Sequence, residues 1–362
     1  MADVAERAGV HKTTVSLALR NHPSIPEATR RRLQALADQL GYRPDPALRV
    51  LTAYRRRARP LAKAPPLAYM THWDSKLGWK LPRAQARFYA GAVAKAADLG
   101  YKLEHFWLGE PNLTHQRMSD ILVARGIVGL IIAAHLPESD VPLQLAWAHF
   151  SAVKIDYYPH EPELHTVTND HRAIIQLATR RVIAAGYRRI GFVMPSWWDR
   201  FADLAWSAGF LAEQQALAPE ERIPILQFSE VTLDRPTGGG PRETAVSRTA
   251  FSEWFHRYRP EVLISKEQFV QPSLAALRLK VPRDVAFAEI FLDPDGMTAG
   301  VRHNCERVGE LAVESLDGQL QHYTYGVPSF PTTTLVEGTW FDGESLPPRA
   351  TPRAARHGRR RA

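Results

Sequence analysis

From Leu67 onward, the sequence alternates short apolar runs of strand length with longer stretches that carry apolar residues at helical spacing. Strands that alternate with helices of this length are typical of parallel sheets covered by helices on both faces. Roughly 280 residues of this pattern exceed what one compact core usually takes, so we expect two lobes. The predicted strands are 67–71, 102–106, 129–133, 152–156, 189–194, 225–228, 262–264 and 285–288, and the predicted helices are 84–99, 173–185 and 204–216.

The first 43 residues differ from the rest, because they predict three short helices. The first covers residues 3–8 and stops at Gly9, since glycine enters the left-handed region without a steric cost. The second covers residues 11–19 and has one apolar and one polar face, and the third begins near Pro26, a favourable residue in a first turn. Two helices joined by a tight glycine-containing turn and backed by a third form a helix-turn-helix arrangement.

The net charge of +8 is unevenly divided along the chain. Residues 1–60 carry +7, residues 61–348 carry −5 and residues 349–362 carry +6. A basic head and a basic tail on an acidic body indicate that a polyanion binds the ends and a different partner binds the middle. For the arginine-rich tail alone, a solvated charge run is the alternative interpretation.

The chain lacks the sequence signals that are typical of several classes of protein. Cys305 is the only cysteine, and no cluster of Cys and His has zinc spacing, so we expect a reducing compartment, no metal and no cofactor. No apolar run has the length of a signal peptide or a membrane span, which predicts a cytoplasmic protein. The run 238–240 of three glycines predicts a flexible break, because no helix or strand tolerates it inside. A phosphate-binding loop is the alternative, but the Lys-Ser or Lys-Thr pair that such a loop requires does not follow.

Two stretches carry a family resemblance. Residues 3–19, Asp-Val-Ala-Glu-Arg-Ala-Gly-Val-His-Lys-Thr-Thr-Val-Ser-Leu-Ala-Leu, and residues 40–44, Leu-Gly-Tyr-Arg-Pro, resemble the DNA-binding headpiece of the LacI/GalR family of bacterial transcriptional regulators. Residues 182–192, Val-Ile-Ala-Ala-Gly-Tyr-Arg-Arg-Ile-Gly-Phe, look like the effector-domain signature of that family. The resemblance is dense in the head and looser in the body.

The resemblance implies an N-terminal all-α helix-turn-helix headpiece, a hinge helix and an α/β body of two parallel-sheet lobes like the type I periplasmic binding proteins. It also implies a homodimer on a near-palindromic double-stranded DNA operator, and a small-molecule effector, expected to be a carbohydrate, between the lobes. The expected domains are a DNA-binding domain over 1–45, a hinge helix and linker over 46–66, a ligand-binding and dimerisation domain over 67–345 and a disordered basic tail over 346–362.

On this resemblance, the second helix enters the major groove of the operator. Lys12 and Thr13 are expected at base edges, and Thr14 and Ser16 at phosphate or base. Leu17 occupies a position where the family often has arginine, so base preference there should shift toward an apolar contact with thymine. An ordinary polar helix surface is the alternative interpretation of the two threonines and the serine.

Residues 47–52 resemble the hinge helix of the family. Leu51 aligns with the leucine that the family inserts into the minor groove, where a deformable central base step lowers the cost of bending. Arg49 and Arg55 would contact phosphates and make binding steeply salt-dependent, and Arg20 completes the predicted DNA-binding set. A linker helix without a DNA role is the alternative.

The start of the chain departs from the family pattern. The family usually has a threonine or serine N-cap three residues before the position of Asp3, and this chain has only Met1 and Ala2 there. Either the first helix is uncapped, at a cost of about 1 kcal/mol, or the true start codon lies upstream.

Ligands of open parallel sheets bind outside the carboxyl ends of the strands, so residues that follow predicted strands are the candidates. Aromatic rings beside a few polar groups suit a sugar, and for any single tryptophan core packing is the alternative. The candidate ligand-binding residues are Trp73, Asp74, Trp79, His135, Asp156, Trp197, Trp198, Trp206, Lys266, Glu267, Phe291 and Asp293, with Arg87 as a further possibility.

Four of these residues differ from the family pattern. Trp206 stands where many members have arginine, Lys266 and Glu267 replace an Asn-Asp pair, and Phe291 replaces an aspartate. Loss of the arginine and the aspartate together is self-consistent, because either alone would leave a buried charge unpaired. We therefore expect an effector that is recognised differently from a routine sugar.

The leading prediction is a ligand-responsive transcriptional repressor. A small-molecule binding protein without regulatory output is the second hypothesis, and it leaves the headpiece motif unexplained. An enzyme is the third and is not expected, because no nucleophile elbow, metal motif or glycine-rich nucleotide fingerprint stands in context. A pair of catalytic carboxylates stays an open alternative, because the sequence alone does not show which carboxylates lie close together.

Overall fold

The computed structural model describes residues 1–19, 24–42, 64–136, 140–229, 231–232 and 244–349. The chain divides into two compact units, and it passes from one to the other three times. Unit 1 comprises Met1–Thr168 and Cys305–Val336, and unit 2 comprises Asn169–Asn304 and Glu337–Ala362.

The N-terminal head of unit 1 contains the three expected helices, α1 (Ala2–Ala8), α2 (Lys12–Leu19) and α3 (Glu27–Gln39). Gly9 ends α1 with a left-handed φ of 67°. Because the helices are short, their stability depends on a shared apolar core rather than on helix propensity. That core consists of Val4, Ala5, Val15, Ala18, Leu33 and Ala37.

The rest of unit 1 is built on a six-stranded sheet with the order β13-β5-β4-β3-β1-β2. The registered strand pairs in this sheet, β1 with β2 and β3, β3 with β4, and β4 with β5, are all parallel. Its strands are β1 (Pro66–His72), β2 (Lys102–Trp107), β3 (Gly129–His135), β4 (Ser151–Ile155), β5 (His165–Asn169) and β13 (Thr333–Val336). Its helices are α4 (Arg83–Asp98), α5 (His115–Ala124) and α11 (Cys305–His322).

Helices α4 and α11 cross at two glycines. A Cβ atom added to Gly91 would collide with the main chain of Glu306, and one added to Gly309 would collide with the main chain of Phe88. The absence of side chains at these points lets the two backbones approach closely. Helix α11 thereby places Val308, Ala312 and Leu316 in the same core as the sheet.

Unit 2 has its own six-stranded sheet, with the order β14-β12-β11-β10-β6-β7. All registered pairs are parallel except β12 with β14. The strands are β6 (Ile190–Pro195), β7 (Leu226–Phe228), β10 (Val262–Ser265), β11 (Ala286–Leu292), β12 (Gly300–Arg302) and β14 (Thr339–Phe341), and β8 (Val231–Thr232) pairs with β9 (Thr244–Ala245). The helices are α6 (His171–Ala184), α7 (Ser196–Phe201), α8 (Ala205–Gln214), α9 (Arg248–Tyr258) and α10 (Glu267–Ala276).

The end of the described chain packs on unit 2. The Arg349 guanidinium pairs with Glu261 at 2.5 Å and lies over the Tyr187 ring, and the Arg349 N–H donates to Ala185 O at 2.8 Å. Tyr187 Oη donates to Pro347 O at 2.8 Å. Residues 346–349, expected in the disordered tail, are therefore ordered here because an ion pair, a ring and backbone bonds hold them.

The fold class expected from the sequence is confirmed: a helical head is followed by two parallel-sheet α/β lobes. Within the described ranges, no helix is long and apolar enough to cross a membrane. The predicted hinge and linker before Ala64, the glycine run 238–240 and the tail beyond Arg349 lie outside the described residues.

Candidate functional sites

Helix α2 presents a polar face at the surface of the head. Its apolar residues Val15 and Ala18 are completely buried, which fixes the rotation of the helix. Lys12 and Thr13 are exposed as a result, and three further predicted DNA-binding residues on the same helix, Thr14, Ser16 and Leu17, are half-buried. The remaining predicted DNA-binding residues, Arg20, Arg49, Leu51 and Arg55, lie outside the described residues.

His11 caps the N-terminus of α2, a role that the sequence reasoning above does not assign. Its carbonyl oxygen accepts from Thr14 N at 2.9 Å, and its ring Nδ1 accepts from Thr13 N at 3.2 Å. The Thr13 hydroxyl lies 3.0 Å from the same Nδ1. Because N-cap side chains satisfy otherwise unpaired backbone donors, the position directly before the first helical residue is the signal that identifies His11.

In unit 1, four of the predicted ligand-binding residues lie at the carboxyl ends of neighbouring parallel strands. Trp73 and Asp74 follow β1, His135 ends β3 and Asp156 follows β4. Asp74 is exposed and Trp73 is half-buried, whereas His135 and Asp156 are buried. The structure therefore brings these residues to one edge of the sheet, as the strand pattern predicts.

Asp156 is a buried carboxylate held by two neutral donors. Thr168 Oγ1 donates to its Oδ1 at 2.9 Å, and Gln85 Nε2 donates to its Oδ2 at 3.2 Å. Burial raises the pKa of Asp156 to about 6, although both hydrogen bonds act to lower it. The same environment raises the pKa of Tyr69, first by burial and second by the charge of Asp156.

Around Asp156, three buried polar atoms have no hydrogen-bond partner among the described residues: Tyr69 Oη, Trp79 Nε1 and Gln85 Oε1. Trp79 is itself completely buried and packs against Tyr69 and Tyr89, with ring centroids 5.5 and 5.1 Å away. Buried polar groups are normally hydrogen-bonded to protein or to ordered water, so this cluster is a candidate for ligand binding in unit 1. Tyr69 and Gln85 were not predicted, because they lie inside a strand and a helix.

In unit 2, predicted residues also gather at one edge of the sheet. Trp197 and Trp198 lie in α7 directly after β6, Lys266 and Glu267 follow β10, and Asp293 follows β11. Phe291, which the family comparison aligns with an aspartate in a turn, lies within β11, because the strand continues to Leu292.

Aromatic rings fill much of this edge. Trp206 is completely buried and stacks on Trp198, with ring centroids 5.2 Å apart. The ring centroids of His303 and Phe291 lie 3.9 Å apart. The Trp197 and Trp206 indole N–H groups are buried and find no acceptor in the part of the chain that the structure describes. Trp206 therefore packs inside a cluster of aromatic rings, whereas Trp197 and Trp198 are half-buried at the edge of the sheet.

A charged group lies beside these rings. Lys266 is half-buried, and its Nζ lies 5.5 Å from the Phe291 ring centroid. Burial lowers the pKa of Lys266, against the charges of Glu289 and Asp293. Glu289, which the sequence reasoning missed, is buried within β11 and accepts from Glu267 N at 2.7 Å. Burial raises the pKa of Glu289 to about 7, against the hydrogen bonds from the Glu267 and Phe291 N–H groups and the charge of Lys266.

Arg87 is engaged elsewhere than in a ligand site. Its guanidinium donates two hydrogen bonds to the Glu306 carboxylate, at 2.6 and 2.5 Å.

Across the described ranges, no group of three or more His, Cys, Asp and Glu residues is arranged to hold a metal ion.

Comparison with known proteins matches the head of the chain to a family. Residues 1–45 match the family described as bacterial regulatory proteins, lacI family. The chain is 25% identical over 337 residues to the HTH-type transcriptional regulator reg1 of Streptomyces lividans, covering 87% of this chain and 88% of that protein. It is also 25% identical over 336 residues to the HTH-type transcriptional regulator MalR of Streptomyces coelicolor, with the same coverage of 87% and 88%.

Solved structures share the fold at low sequence identity. A complex of the transcriptional regulator CelR with cellobiose has a TM-score of 0.57 at 18% identity and covers 94% of this chain and 98% of that one. A lac repressor dimer bound to operator and the anti-inducer ONPF has a TM-score of 0.53 at 16% identity and covers 95% of this chain and 98% of that one. Residues 1–45 thus match the lacI family of bacterial regulatory proteins, and the chain is similar along most of its length to HTH-type transcriptional regulators.

Proposed function

We propose that the protein is a cytoplasmic, homodimeric repressor whose affinity for a near-palindromic operator is controlled by a carbohydrate effector. The observation that supports the DNA part most directly is the face of α2, where Lys12 and Thr13 are exposed while Val15 and Ala18 are buried. A symmetric dimer presents two such helices, which matches two half-sites of opposite orientation.

The proposed DNA contacts follow from the exposure of each side chain on α2. Lys12 and Thr13 read base edges, Thr14 and Ser16 contact phosphate or base, and Leu17 offers methyl groups to thymine. Residues 1–45 form the DNA-reading domain and 46–66 the hinge and linker. In this second segment Arg49 and Arg55 contact phosphates and Leu51 enters the minor groove, and Arg20 completes the set.

The effector is proposed to bind the residues at the carboxyl ends of the strands of each unit. Unit 1 offers the Asp156 carboxylate and the unpartnered polar atoms of Tyr69, Trp79 and Gln85. A sugar carries both donors and acceptors in its hydroxyl groups, so it can satisfy a mixed set of this kind. Support also comes from the CelR neighbour, whose structure is a complex with cellobiose.

In unit 2, the same proposal assigns the half-buried rings of Trp197, Trp198 and Phe291 to the apolar face of the sugar. Lys266, Glu267 and Asp293 supply charged groups beside those rings. Indole rings bury a large area at small entropic cost, and for this reason they suit the flat C–H face of a sugar.

Selection of binding sites from a random double-stranded DNA library tests the DNA part. We expect an enriched, near-palindromic sequence, and fluorescence polarisation at several salt concentrations should show affinity that falls steeply with salt. The double variant Lys12→Ala, Thr13→Val should lose the preference and still fold. Binding without any sequence preference at moderate salt would contradict this part of the proposal.

Thermal-shift screening against mono- and oligosaccharides tests the effector part, with tryptophan fluorescence as a second measurement. Asp156→Asn and Trp198→Ala should abolish the shift, whereas Asp120→Asn, at an exposed carboxylate on α5, should not. A response to another class of metabolite and to no sugar would overturn the carbohydrate assignment. A sugar that binds and leaves DNA affinity unchanged would favour the alternative, a small-molecule binding protein without regulatory output.

A further inference from the structure

Two hydrogen-bonding groups of Thr13 converge on one atom of His11. The Thr13 backbone N–H donates to Nδ1 at 3.2 Å, and the Thr13 hydroxyl oxygen lies 3.0 Å from the same nitrogen. Both side chains are exposed on the head, next to Lys12 at the start of α2.

The backbone contact determines where the protons lie. A backbone N–H can only donate, so His11 Nδ1 must be the unprotonated, accepting nitrogen, and the ring proton must reside on Nε2. An accepting Nδ1 in turn requires the Thr13 hydroxyl to donate its only proton to it. The outward side of that hydroxyl then has lone pairs and no proton, so it can accept a hydrogen bond and cannot donate one.

We propose that His11 is a positioning residue for base selection, because it fixes the Thr13 hydroxyl as a hydrogen-bond acceptor toward DNA. The inference rests on the proposed function, in which α2 lies in the major groove. The groups that can donate there are the exocyclic amines, N6 of adenine and N4 of cytosine. Thr13 should therefore select adenine or cytosine on the strand that it contacts, and disfavour guanine and thymine, whose groove atoms N7, O6 and O4 only accept.

The neighbouring Lys12 has the opposite polarity. Its ammonium group has three donors and no acceptor, so it suits guanine O6 and N7. Two adjacent residues of α2 thus present one pure donor and one pure acceptor to adjacent bases. A freely rotating threonine hydroxyl would lack this polarity, since it donates and accepts equally well.

A purely structural role for His11 makes a different prediction. If its ring only caps α2, removing it weakens the helix and lowers affinity for every DNA sequence by a similar factor. The ratio of affinities between bases at one position is insensitive to such a loss. Base preference therefore separates positioning of the hydroxyl from capping of the helix.

The experiment is selection from a random double-stranded DNA library with the full chain, followed by polarisation measurements on single-base variants of the selected site. The comparison uses wild type, Thr13→Val, His11→Ala and His11→Asn. Thr13→Val identifies the contacted base, because it removes the hydroxyl and retains the shape. At that base, wild type should prefer adenine or cytosine over guanine or thymine by roughly five- to tenfold, as one neutral hydrogen bond allows.

His11→Ala should reduce this preference below about twofold, because the hydroxyl is then free to rotate. His11→Asn should restore it, since an asparagine oxygen at the N-cap accepts from the same N–H and hydroxyl. Three results would overturn the inference: a preference that survives His11→Ala, a wild-type preference for guanine or thymine at that base, or a Thr13→Val profile identical to wild type. No sequence preference in any protein, wild type included, would instead remove the proposed function.

Discussion

The Arg87 guanidinium and the Glu306 carboxylate form a bidentate ion pair that joins α4 to α11, with hydrogen bonds of 2.6 and 2.5 Å. Burial acts to raise the pKa of Glu306, yet the hydrogen bonds and charge of Arg87 hold it below its usual value. A carboxyl with a depressed pKa stabilises the fold above its unfolded pKa, and this stability is lost as the pH falls through the folded pKa.

Glu306→Gln should therefore lower the free energy of unfolding at pH 7 by about 1 kcal/mol, since the pair is only partly buried and solvent screens it. The difference from wild type should shrink at pH values below the unfolded pKa of glutamate. Urea unfolding at pH 7 and at pH 3.5 measures both effects. An equal loss at the two pH values would show that packing, not charge, explains the cost.

The close crossing of α4 and α11 predicts an unusually costly substitution. Gly309→Ala places a methyl group against the main chain of Phe88, which cannot move without separating the helices. Overpacking of this kind typically costs about 1–3 kcal/mol and sometimes more. Thermal and urea unfolding of the variant measure the loss.

Gly318, on the same helix, is the matched control. A Cβ atom at Gly318 would have no atom within 4 Å, so Gly318→Ala should instead stabilise the protein by about 0.5–1 kcal/mol through helix propensity. If both substitutions change the free energy of unfolding in the same direction, the helix crossing does not determine the effect of Gly309→Ala.

Leu17 predicts a change of DNA specificity. Leu17→Arg adds a fork of donors that can bind guanine O6 and N7 together, which is worth about 1–3 kcal/mol of discrimination. We expect the variant to select guanine where wild type selects thymine, and Leu17→Ala to show weakened selection without the new guanine. Binding-site selection with the three proteins checks this. An unaltered site in Leu17→Arg would mean that this side chain does not reach a base.

Asp156 predicts a pH dependence of the opposite sign to that of Glu306. Its folded pKa of about 6 exceeds the ordinary value of 3.8, so the folded protein holds this proton more tightly. Its contribution to stability is complete below the unfolded pKa and is lost as the pH rises through about 6, by roughly 2–3 kcal/mol at most.

Asp156→Asn should abolish this loss and raise stability at pH 8 relative to wild type. The substitution is well accommodated, because a rotated Gln85 amide can accept from the new amide through its unpartnered Oε1. Urea unfolding from pH 4.5 to pH 8 measures the difference, with Asp120→Asn as the control. The same pH profile for wild type and Asp156→Asn would contradict the prediction.

The sequence predicted the elements whose apolar periodicity stands between clear breaks, such as α1, ended by Gly9, and α4, ended before Gly100. It did not place α11, although its buried residues recur at helical spacing from Cys305 to Leu316. The helical spacing was an available local signal, but the packing of this helix against a lobe distant in sequence leaves none.

The residues of the candidate site were likewise predicted only in part. Residues that follow strands, Asp156 and Lys266 among them, were predicted because parallel strands end at one edge. Glu289, Tyr69 and Gln85 lie inside elements, where their neighbours decide whether a polar group is buried. A charge within the apolar run of β11 was the available signal for Glu289.

The passage of the chain between the units three times has a consequence for synthesis on the ribosome. Five of the six strands of the unit 1 sheet are translated by residue 169, but α11, which fills its core, begins only at Cys305, and β13 follows at Thr333. The first lobe must therefore wait, with apolar surface exposed, while about 140 further residues emerge, roughly 7–28 s at ordinary bacterial elongation rates. During that interval the exposed apolar surface makes the nascent lobe prone to aggregation, and a chaperone that covers it would protect the lobe.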